Sequence, residues 1–330
     1  MALASIYQRF VAPSLDLLQR PAFKAALDSR IYQLITGVDP KELVHPDDVR
    51  DFVADTILQE SVRLANSQRD ATHLAPPLKP FFLQGENEKA KFQRSSKVID
   101  EPMEVSAELQ KRLLDMNGFL VHRRKSTVEN AGWGLFMEGS VSPGTVIAFV
   151  PGTVYAIDQL QNIPGYPNLH RPKLTMSVGL DGTLIDSDDE LGMEMYTNLQ
   201  WHKKDKPNPY WILQNSYASG HFANHPPKNG IHNCCSFSVR FGLEERKFLK
   251  NLLPYVQCRK TRNFNYIRKH FLKIDANVIP GIVLVSTSDI NDGEEIFRNY
   301  QFNPKIPKEK VPDWYWDPDP ELTALRWEST

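Results

Sequence analysis

The chain has few of the features that mark whole classes of protein. Its 330 residues include only three cysteines, and so low and odd a count makes no disulfide framework and is typical of a reducing compartment. No apolar run approaches the ~18–20 residues of a membrane span, so we expect no membrane partner. The net charge is −1, which argues against a general attraction to nucleic acid or to an anionic membrane. No internal repeat of fixed period is present.

What is present is the composition of a globular protein. Hydrophobic residues make up 41% and charged residues 24%, so we do not expect wholesale disorder. The start has no basic segment before an apolar block, which predicts no secretory signal and an intracellular location, in the cytoplasm or the nucleus. A mitochondrial presequence stays open because of Arg9, Arg20 and Lys24, whereas Asp16 and Asp28 count against it.

Patterns in the first third predict an N-terminal helical region over residues 1–118. Apolar side chains recur at helical spacing over 14–36 and 47–67, and Gly37 is suited to end the first helix. A shorter helix is expected after Ser106. Between these helices, residues 69–104 are polar and rich in proline, which predicts an exposed connection.

After residue 118 short β-like runs alternate with turns. Val146–Val150 and Ile282–Val285 are buried strand candidates, and Asp292-Gly293 is a turn signal. This spacing favours an α+β fold of small sheets over a parallel βαβ sheet. Residues 305–330 form a C-terminal tail rich in aromatic residues and proline.

Three separated segments carry residues suited to holding a ligand. They are Gly132-Trp133-Gly134, then Asn224-His225, then Gly293-Glu294-Glu295 followed after four residues by Tyr300. Each segment alone is an ordinary turn or strand end. Their order along residues 119–304 resembles the SET-domain family of protein methyltransferases.

The resemblance implies a fold, a cofactor and a reaction. The fold is β-clip-like, with small curled sheets around a threaded, knot-like segment, one of the rare exceptions to unknotted topology. The cofactor is S-adenosyl-L-methionine. The reaction is methyl transfer to a lysine amine of a protein substrate, which makes the chain an enzyme, a SET-domain protein-lysine N-methyltransferase. The implied function is therefore lysine methylation, and the substrate protein is not identified.

The resemblance also implies roles for single residues. The main chain of Gly132, Trp133 and Gly134 lies along the methionine part of the cofactor. The Asn224 side chain holds polar groups of the cofactor, and His225 serves the adenine through its main chain. Tyr300, the catalytic residue, contacts the cofactor and borders the lysine channel.

The chemistry of the side chains limits these roles. A phenol has an unperturbed pKa of ~10, so Tyr300 is normally neutral and we do not expect it to act as a simple general base. Tyr155 is a second aromatic candidate for the substrate channel, with core packing as its alternative role. We expect Glu294 and Glu295 to be exposed, because paired carboxylates at a turn usually are.

We expect no metal site. His221, His225, His232, Cys234 and Cys235 lie close together in sequence. His221 follows a glycine and His225 precedes two prolines, so we do not expect them to be a pair of metal ligands on one helix. The adjacent cysteines point to opposite faces of a strand, and no paired C-x2-C motif is present.

One departure from the family pattern keeps a different class of function open. Pro226-Pro227 follows the Asn-His pair where the family commonly has a cysteine and a Pro-Asn pair, and we align Asn233 with the later asparagine. The alternative is a catalytically weak or inactive SET-like binding module. A third reading uses a basic insertion, residues 257–274, in which aromatic residues alternate with arginine and lysine. This insertion fits an acidic or nucleic-acid partner, or a plain solvated surface.

Overall fold

The computed structural model describes residues 21–40, 45–73, 107–155, 163, 176–179, 183–187, 215–242, 245, 253–257 and 278–327. Within these residues the protein is a mixed α/β structure. An N-terminal helical region precedes small, mainly antiparallel sheets. The predicted helical start and the small sheets are therefore confirmed.

Four α-helices lie in the described part of the chain. They are α1 (Pro21–Thr36), α2 (Pro46–His73), α3 (Ala107–Asn117) and α4 (Pro320–Trp327). The sequence predicts how α1 and α3 end. Gly37 and Gly118 adopt φ values of 73° and 78°, and their N–H groups close the last turns. Within the described ranges no helix has the length and apolar character needed to cross a bilayer.

Helix α2 is longer than predicted. It continues to His73, into the segment that we expected to be an exposed connection. Its buried face extends beyond Leu64, because Ala71 is fully buried too. The next proline in the sequence is Pro76, three residues beyond the end of the helix. The composition of residues 69–73 was therefore misleading, since packing of the apolar face decides where the helix ends.

Some predictions fall outside the described residues. They concern residues 14–20 of the first predicted helix, Ser106 before the third helix, the connection after residue 73 and the basic insertion beyond residue 257.

Ten strands form three sheets in the described part. The strands are β1 (Phe119–Lys125), β2 (Trp133–Gly139), β3 (Val146–Phe149), β4 (Gly152–Tyr155), β5 (Met176–Val178), β6 (Leu184–Asp186), β7 (Cys234–Phe241), β8 (Tyr255–Gln257), β9 (Ile279–Ser286) and β10 (Glu295–Ile296). The strand orders are β1-β2-β10, β3-β9-β7 and β5-β6-β4-β8. Strands β4 and β8 are parallel, and the other neighbours are antiparallel.

The register of the first sheet brings distant segments together. β2 is its central strand, with Trp133 opposite Lys125 of β1 and Phe136 opposite Glu295 of β10. The Gly-x-Gly loop at the start of β2 therefore lies beside the Gly-Glu-Glu segment, although the two are far apart along the chain.

The N-terminal helices share one core with the sheets. Ile31 of α1 and Ile57 of α2 are fully buried in this core. At the end of α3 the Asn117 amide donates to the Ser67 hydroxyl and to the Tyr217 hydroxyl, each at 2.8 Å. Because Tyr217 is fully buried beside β1, this amide ties the helical region to the sheet region.

The described part of the C-terminal tail folds back onto the rest of the molecule. After a 3-10 turn (Lys308–Lys310), α4 packs against α1. Leu322 joins the core, and Arg30 Nη1 lies 2.5 Å from Asp319 Oδ2. The tail is thereby held close to the site built by the preceding strands.

Candidate functional site

The loop before β2 makes a sharp bend with an open face. Asn130 and Gly132 adopt φ values of 61° and 75°, and the Ser126 N–H donates to the Gly132 carbonyl at 2.9 Å. A Cβ built on Gly132 meets nothing within 4 Å. The bend itself requires glycine, because a side chain disfavours this backbone conformation. The main chain here therefore faces open space.

Gly134 is needed for a different reason. Its φ is outside the left-handed region, but a Cβ at this position would lie 2.1 Å from Glu295 Oε1 and 2.9 Å from Glu295 Cδ. The missing side chain lets the carboxylate approach the backbone of β2. The glycine pair thus combines one bend with one close contact.

Glu295 is the main correction to the sequence-based expectation, because it is buried at 6% exposure. Its Oε1 accepts from Ser126 Oγ at 2.6 Å, and its Oε2 accepts from the Thr127 N–H at 2.7 Å and from Thr127 Oγ1 at 2.5 Å. A buried carboxylate is stable only when donors surround it. Glu294, next to it, is exposed as expected. The sequence held only a weak signal for this burial: neighbouring residues near a strand face opposite sides, so one of the two carboxylates could point inward.

Asn224 connects this carboxylate to the Gly-x-Gly loop. It follows the short turn η1 (Gly220–Phe222). Its Nδ2 donates to the Trp133 carbonyl at 2.9 Å and approaches Glu295 Oε1 at 3.3 Å. Its main chain pairs with Phe297, and its carbonyl accepts from the Arg298 N–H at 2.9 Å. Asn224 is thus the point at which all three sequence segments meet.

Asn233 holds β10 and the residue that follows it through two side-chain hydrogen bonds. Its Nδ2 donates to the Glu295 carbonyl at 2.9 Å, and its Oδ1 accepts from the Phe297 N–H at 2.8 Å. This side chain therefore replaces a missing strand partner for the segment after β10. The sequence pointed to Asn233 only through the alignment with the later asparagine of the family pattern.

His225 and Tyr300 lie side by side. Their ring centroids are 5.3 Å apart, and the Tyr300 N–H donates to His225 Nδ1 at 3.3 Å. His225 Nε2 lies 2.7 Å from the Trp316 carbonyl, to which it donates. These partners suit a neutral imidazole. Burial lowers the pKa of His225, against the smaller effect of its carbonyl partner.

Aromatic residues of the tail surround this pair. The Tyr315 ring is 4.7 Å from His225, Trp314 stands edge-on to Tyr300 at 6.2 Å, and Tyr315 stacks on Phe302 at 4.4 Å. The sequence showed an aromatic tail but gave no signal that it packs here. The contact depends on the return of the chain through α4.

Tyr300 is held in its protonated form. Burial raises its pKa, while the charge of Arg298 and a hydrogen bond with the His225 main chain lower it by less. The phenol is therefore a neutral hydrogen-bonding group near pH 7, as its chemistry predicts.

Two arginines lie against aromatic rings of the candidate site. The Arg123 guanidinium lies 4.8 Å from the Trp133 ring, and that of Arg298 lies 5.3 Å from the Tyr300 ring. The charges of both arginines affect the pKa of His221. Burial, then Arg298, then Arg123, lowers its pKa from 6.5 to about 3. This part of the site therefore disfavours any added positive charge.

Tyr155 occupies a different environment. It is the last residue of β4, opposite Leu184, and its side chain is fully buried. A role in the substrate channel stays a prediction.

The cysteines and histidines that the structure describes do not form a metal-binding cluster. Within the described ranges no three His, Cys, Asp or Glu side chains are close enough to hold a metal ion. Burial raises the pKa of Cys234, whose Sγ donates to the Phe297 carbonyl at 3.3 Å. This thiol is therefore a packed structural group rather than a reactive one.

Comparison with known proteins gives one relationship. No family model matches the chain. SET domain-containing protein 9 of Homo sapiens and that of Pongo abelii are each 28% identical to it over 204 residues, or 56% of this chain. The matches span 58% of the human protein and 64% of the Pongo abelii protein. They support the SET-domain relationship that the order of the three segments indicated.

Proposed function

We propose that this chain, as a relative of SET domain-containing proteins, is an S-adenosylmethionine-dependent methyltransferase that acts on a lysine of a protein substrate. One observation carries the proposal. The Asn224 side chain contacts the Gly-x-Gly loop and Glu295, and the next residue, His225, contacts Tyr300. Three segments whose order resembles the SET pattern are thus in contact with one another, which supports a shared site.

The residues present fit the cofactor. The main chain at Gly132 borders open space, since a Cβ built there meets nothing within 4 Å. We assign the methionine part to Gly132, Trp133 and Gly134, and the adenine to the main chain of His225 with its aromatic neighbours. When bound, S-adenosylmethionine supplies a methyl group on a positively charged sulfur.

The chain itself orients the acceptor and keeps it neutral. A protonated amine has no lone pair, so a lysine must lose a proton before it can attack. Burial first, and then the charges of Arg298 and Arg123, lower the pKa of His221, and the same effects would lower the pKa of a lysine amine brought beside it. Tyr300, being neutral, is suited to hold the amine by a hydrogen bond while the proton leaves to solvent.

A direct binding measurement tests the cofactor assignment. Calorimetry should show S-adenosylmethionine binding to the purified chain, with affinity reduced by about 10-fold or more in Asn224→Ala, the value of one lost hydrogen bond to a charged group. Asn291→Ala, at an exposed turn, is the matched control. Circular dichroism must show that Asn224→Ala is folded. Wild-type protein that binds no cofactor contradicts the proposal.

The catalytic assignment is tested by Tyr300→Phe. We expect methyl transfer to a pool of lysine peptides to fall by about 100-fold, with cofactor affinity unchanged, because only the hydroxyl is lost. Tyr315→Phe removes a hydroxyl from the same aromatic cluster, where it accepts from the Phe302 N–H at 3.0 Å, and serves as the control. Equal activity of wild type and Tyr300→Phe excludes a role for the phenol.

Two observations favour a SET-like binding module as the second candidate. The Asn224 amide and both His225 ring nitrogens already have partners within the protein. The Tyr300 ring is also packed against Trp314 and Phe302. Capture of a lysine peptide without detectable methyl transfer, in protein that binds the cofactor, identifies this module.

A further inference from the structure

The residue after Tyr300 has an unusual backbone conformation. Gln301 has a φ of 49°, which lies in the left-handed region that a residue with a side chain rarely occupies. Such a conformation costs free energy and persists only where surrounding contacts hold it in place. The contacts of Gln301 therefore identify the part of the fold that imposes this conformation beside Tyr300.

Two residues at the end of α4 hold Gln301. The Trp327 Nε1–H donates to the Gln301 carbonyl at 2.7 Å, and Arg326 Nη1 donates to Gln301 Oε1 at 2.5 Å. Arg326 Nη2 also donates to the Val178 carbonyl of β5 at 3.1 Å. One of the bonds to Gln301 thus fixes its backbone and the other fixes its side chain, and the same guanidinium is anchored to a sheet.

The residue before Tyr300 is held by the same part of the chain. Asn299 Nδ2 donates to Asp317 Oδ1 at 2.7 Å and lies 3.5 Å from Thr323 Oγ1 in α4. Asn299 Oδ1 accepts from the Gln301 N–H at 2.9 Å. Tyr300 therefore lies between two residues that are bonded to each other and to the C-terminal tail.

Helix α1 supports α4 at both of its ends. At the start of α4, Asp319 Oδ1 accepts from the Leu322 N–H at 3.1 Å, and Asp319 Oδ2 lies 2.5 Å from Arg30 Nη1 of α1. At the end of α4, the Arg326 guanidinium carbon lies 5.7 Å from the ring of Phe23 in α1. Phe23 and Leu322 belong to the same buried core. The N-terminal helical region is thus connected to the residues that flank Tyr300.

We propose that Arg326 and Trp327 are positioning residues for Tyr300, and that α1 holds the helix that carries them. Because their bonds fix the chain at Gln301, they also fix the direction in which the Tyr300 ring leaves the backbone. A displacement of a reacting group by about 1 Å can cost about 100-fold in rate. The catalytic use of Tyr300 rests on the proposed function, whereas the coupling of α4 to Tyr300 is argued from contacts alone.

Amide hydrogen exchange of the full-length chain without cofactor tests this coupling. The N–H groups of Tyr300, Gln301 and Phe302 each donate to a side chain, so their exchange reports how firmly this segment is held. Trp327→Phe keeps an aromatic ring but removes the donor to the Gln301 carbonyl, and Arg326→Met removes the donor to its side chain. We expect the three amides to exchange about 10-fold faster in each variant, the value of one lost hydrogen bond.

Controls separate a local effect from a general loss of stability. Arg50→Met is the matched control, because Arg50 is exposed and pairs with Asp47 and Asp51 of its own helix. The amides of α3 should exchange at the wild-type rate in every variant. If the amides of residues 300–302 are unchanged in both α4 variants, or if those of α3 accelerate to the same extent, the proposal is overturned.

The support from α1 has its own variant. Arg30→Met breaks the pair with Asp319 and should accelerate exchange at residues 300–302 by about 2- to 5-fold, as expected for a partly exposed ion pair. Arg30→Lys keeps the charge and should exchange as wild type. A wild-type rate in Arg30→Met overturns the part that we assign to α1.

Methyl transfer then tests the positioning role. With lysine peptides, kcat should fall by about 10-fold in Arg326→Met and in Trp327→Phe, while the calorimetric affinity for S-adenosylmethionine stays within about 2-fold of wild type. Arg326→Lys keeps a donor for Gln301 Oε1 and should recover about 3-fold or more of the lost kcat. An active wild type whose kcat is unchanged in both α4 variants overturns the positioning role.

The two readouts keep this proposal separate from the proposed function. If wild type binds no cofactor, yet both α4 variants accelerate exchange at residues 300–302, the methyltransferase proposal fails and the coupling of α4 to Tyr300 stands. If wild type is active and exchange at residues 300–302 does not respond, the methyltransferase proposal stands and the coupling fails.

Discussion

The contact between Gly134 and Glu295 makes a sharp prediction about stability. A methyl group on Gly134 would lie 2.1 Å from Glu295 Oε1, so Gly134→Ala must push the carboxylate away. The displaced oxygen accepts from Ser126 at 2.6 Å and lies 3.3 Å from the Asn224 amide. Overpacking costs about 1–3 kcal/mol, and weakening hydrogen bonds to a charged group adds about 1.5–3 kcal/mol. We expect a loss of about 3–5 kcal/mol.

The same reasoning predicts that this loss depends on the carboxylate. Glu295→Ala leaves buried donors unsatisfied and should itself cost about 3 kcal/mol. It also removes both Glu295 atoms that the new methyl group would strike. In that background Gly134→Ala should be nearly neutral, so the double mutant should be about as stable as Glu295→Ala alone. The coupling energy is then about 3 kcal/mol or more.

A double-mutant cycle in urea, followed by circular dichroism, measures this coupling. Gly37→Ala, in a separate part of the fold, is the control, because its cost of about 1 kcal/mol comes from the left-handed backbone rather than from a contact. That cost should add to the cost of Glu295→Ala within about 0.5 kcal/mol. If Gly134→Ala and Glu295→Ala are also additive, the close approach is not what requires glycine at 134, and the reasoning fails.

Two further predictions concern other buried groups. Burial lowers the pKa of His221 from 6.5 to about 3 in the folded protein. As pH falls below 6.5, this imidazole therefore binds a proton in the unfolded chain but not in the folded one. The contribution of neutral His221 to stability is full above pH 6.5 and is lost progressively below it. Between pH 7.5 and 5.0, His221→Gln should lose about 2 kcal/mol less than wild type in urea titrations, whereas His45→Gln, at an exposed site, should behave as wild type. Tyr217→Phe removes the hydroxyl that joins Asn117 to the Phe119 carbonyl and should lower the free energy of unfolding by about 1–2 kcal/mol. A loss no larger than the scatter between repeat titrations would show that this hydroxyl does not tie the helices to the sheets.

Local features were well predicted because they depend on neighbours in sequence. Gly37 ends a helix through its own backbone conformation. The apolar run at Ile282–Val285 gives a buried strand, β9, because each of its residues must leave water. The order of the three candidate segments also needed no coordinates.

The environment of the charged groups was not predictable in this way. Glu295 was expected to be exposed, yet Ser126 and Thr127, far away in sequence, surround its carboxylate. Arg298 was given no role, because nothing in its neighbourhood along the chain shows that it is buried beside Tyr300.

The sequence by itself determined the three N-terminal helices, the main turns, several strands and the residues from which a candidate site is built. Only the tertiary structure decided that Asn224 joins the Gly-x-Gly loop to the segment ending in Tyr300, and that tail aromatics cover one side of it. The physical reason is the range of the interactions. Backbone preference and apolar periodicity act over a few residues, whereas burial of a charge and its hydrogen-bond partners are fixed by strands that meet only after the chain has folded.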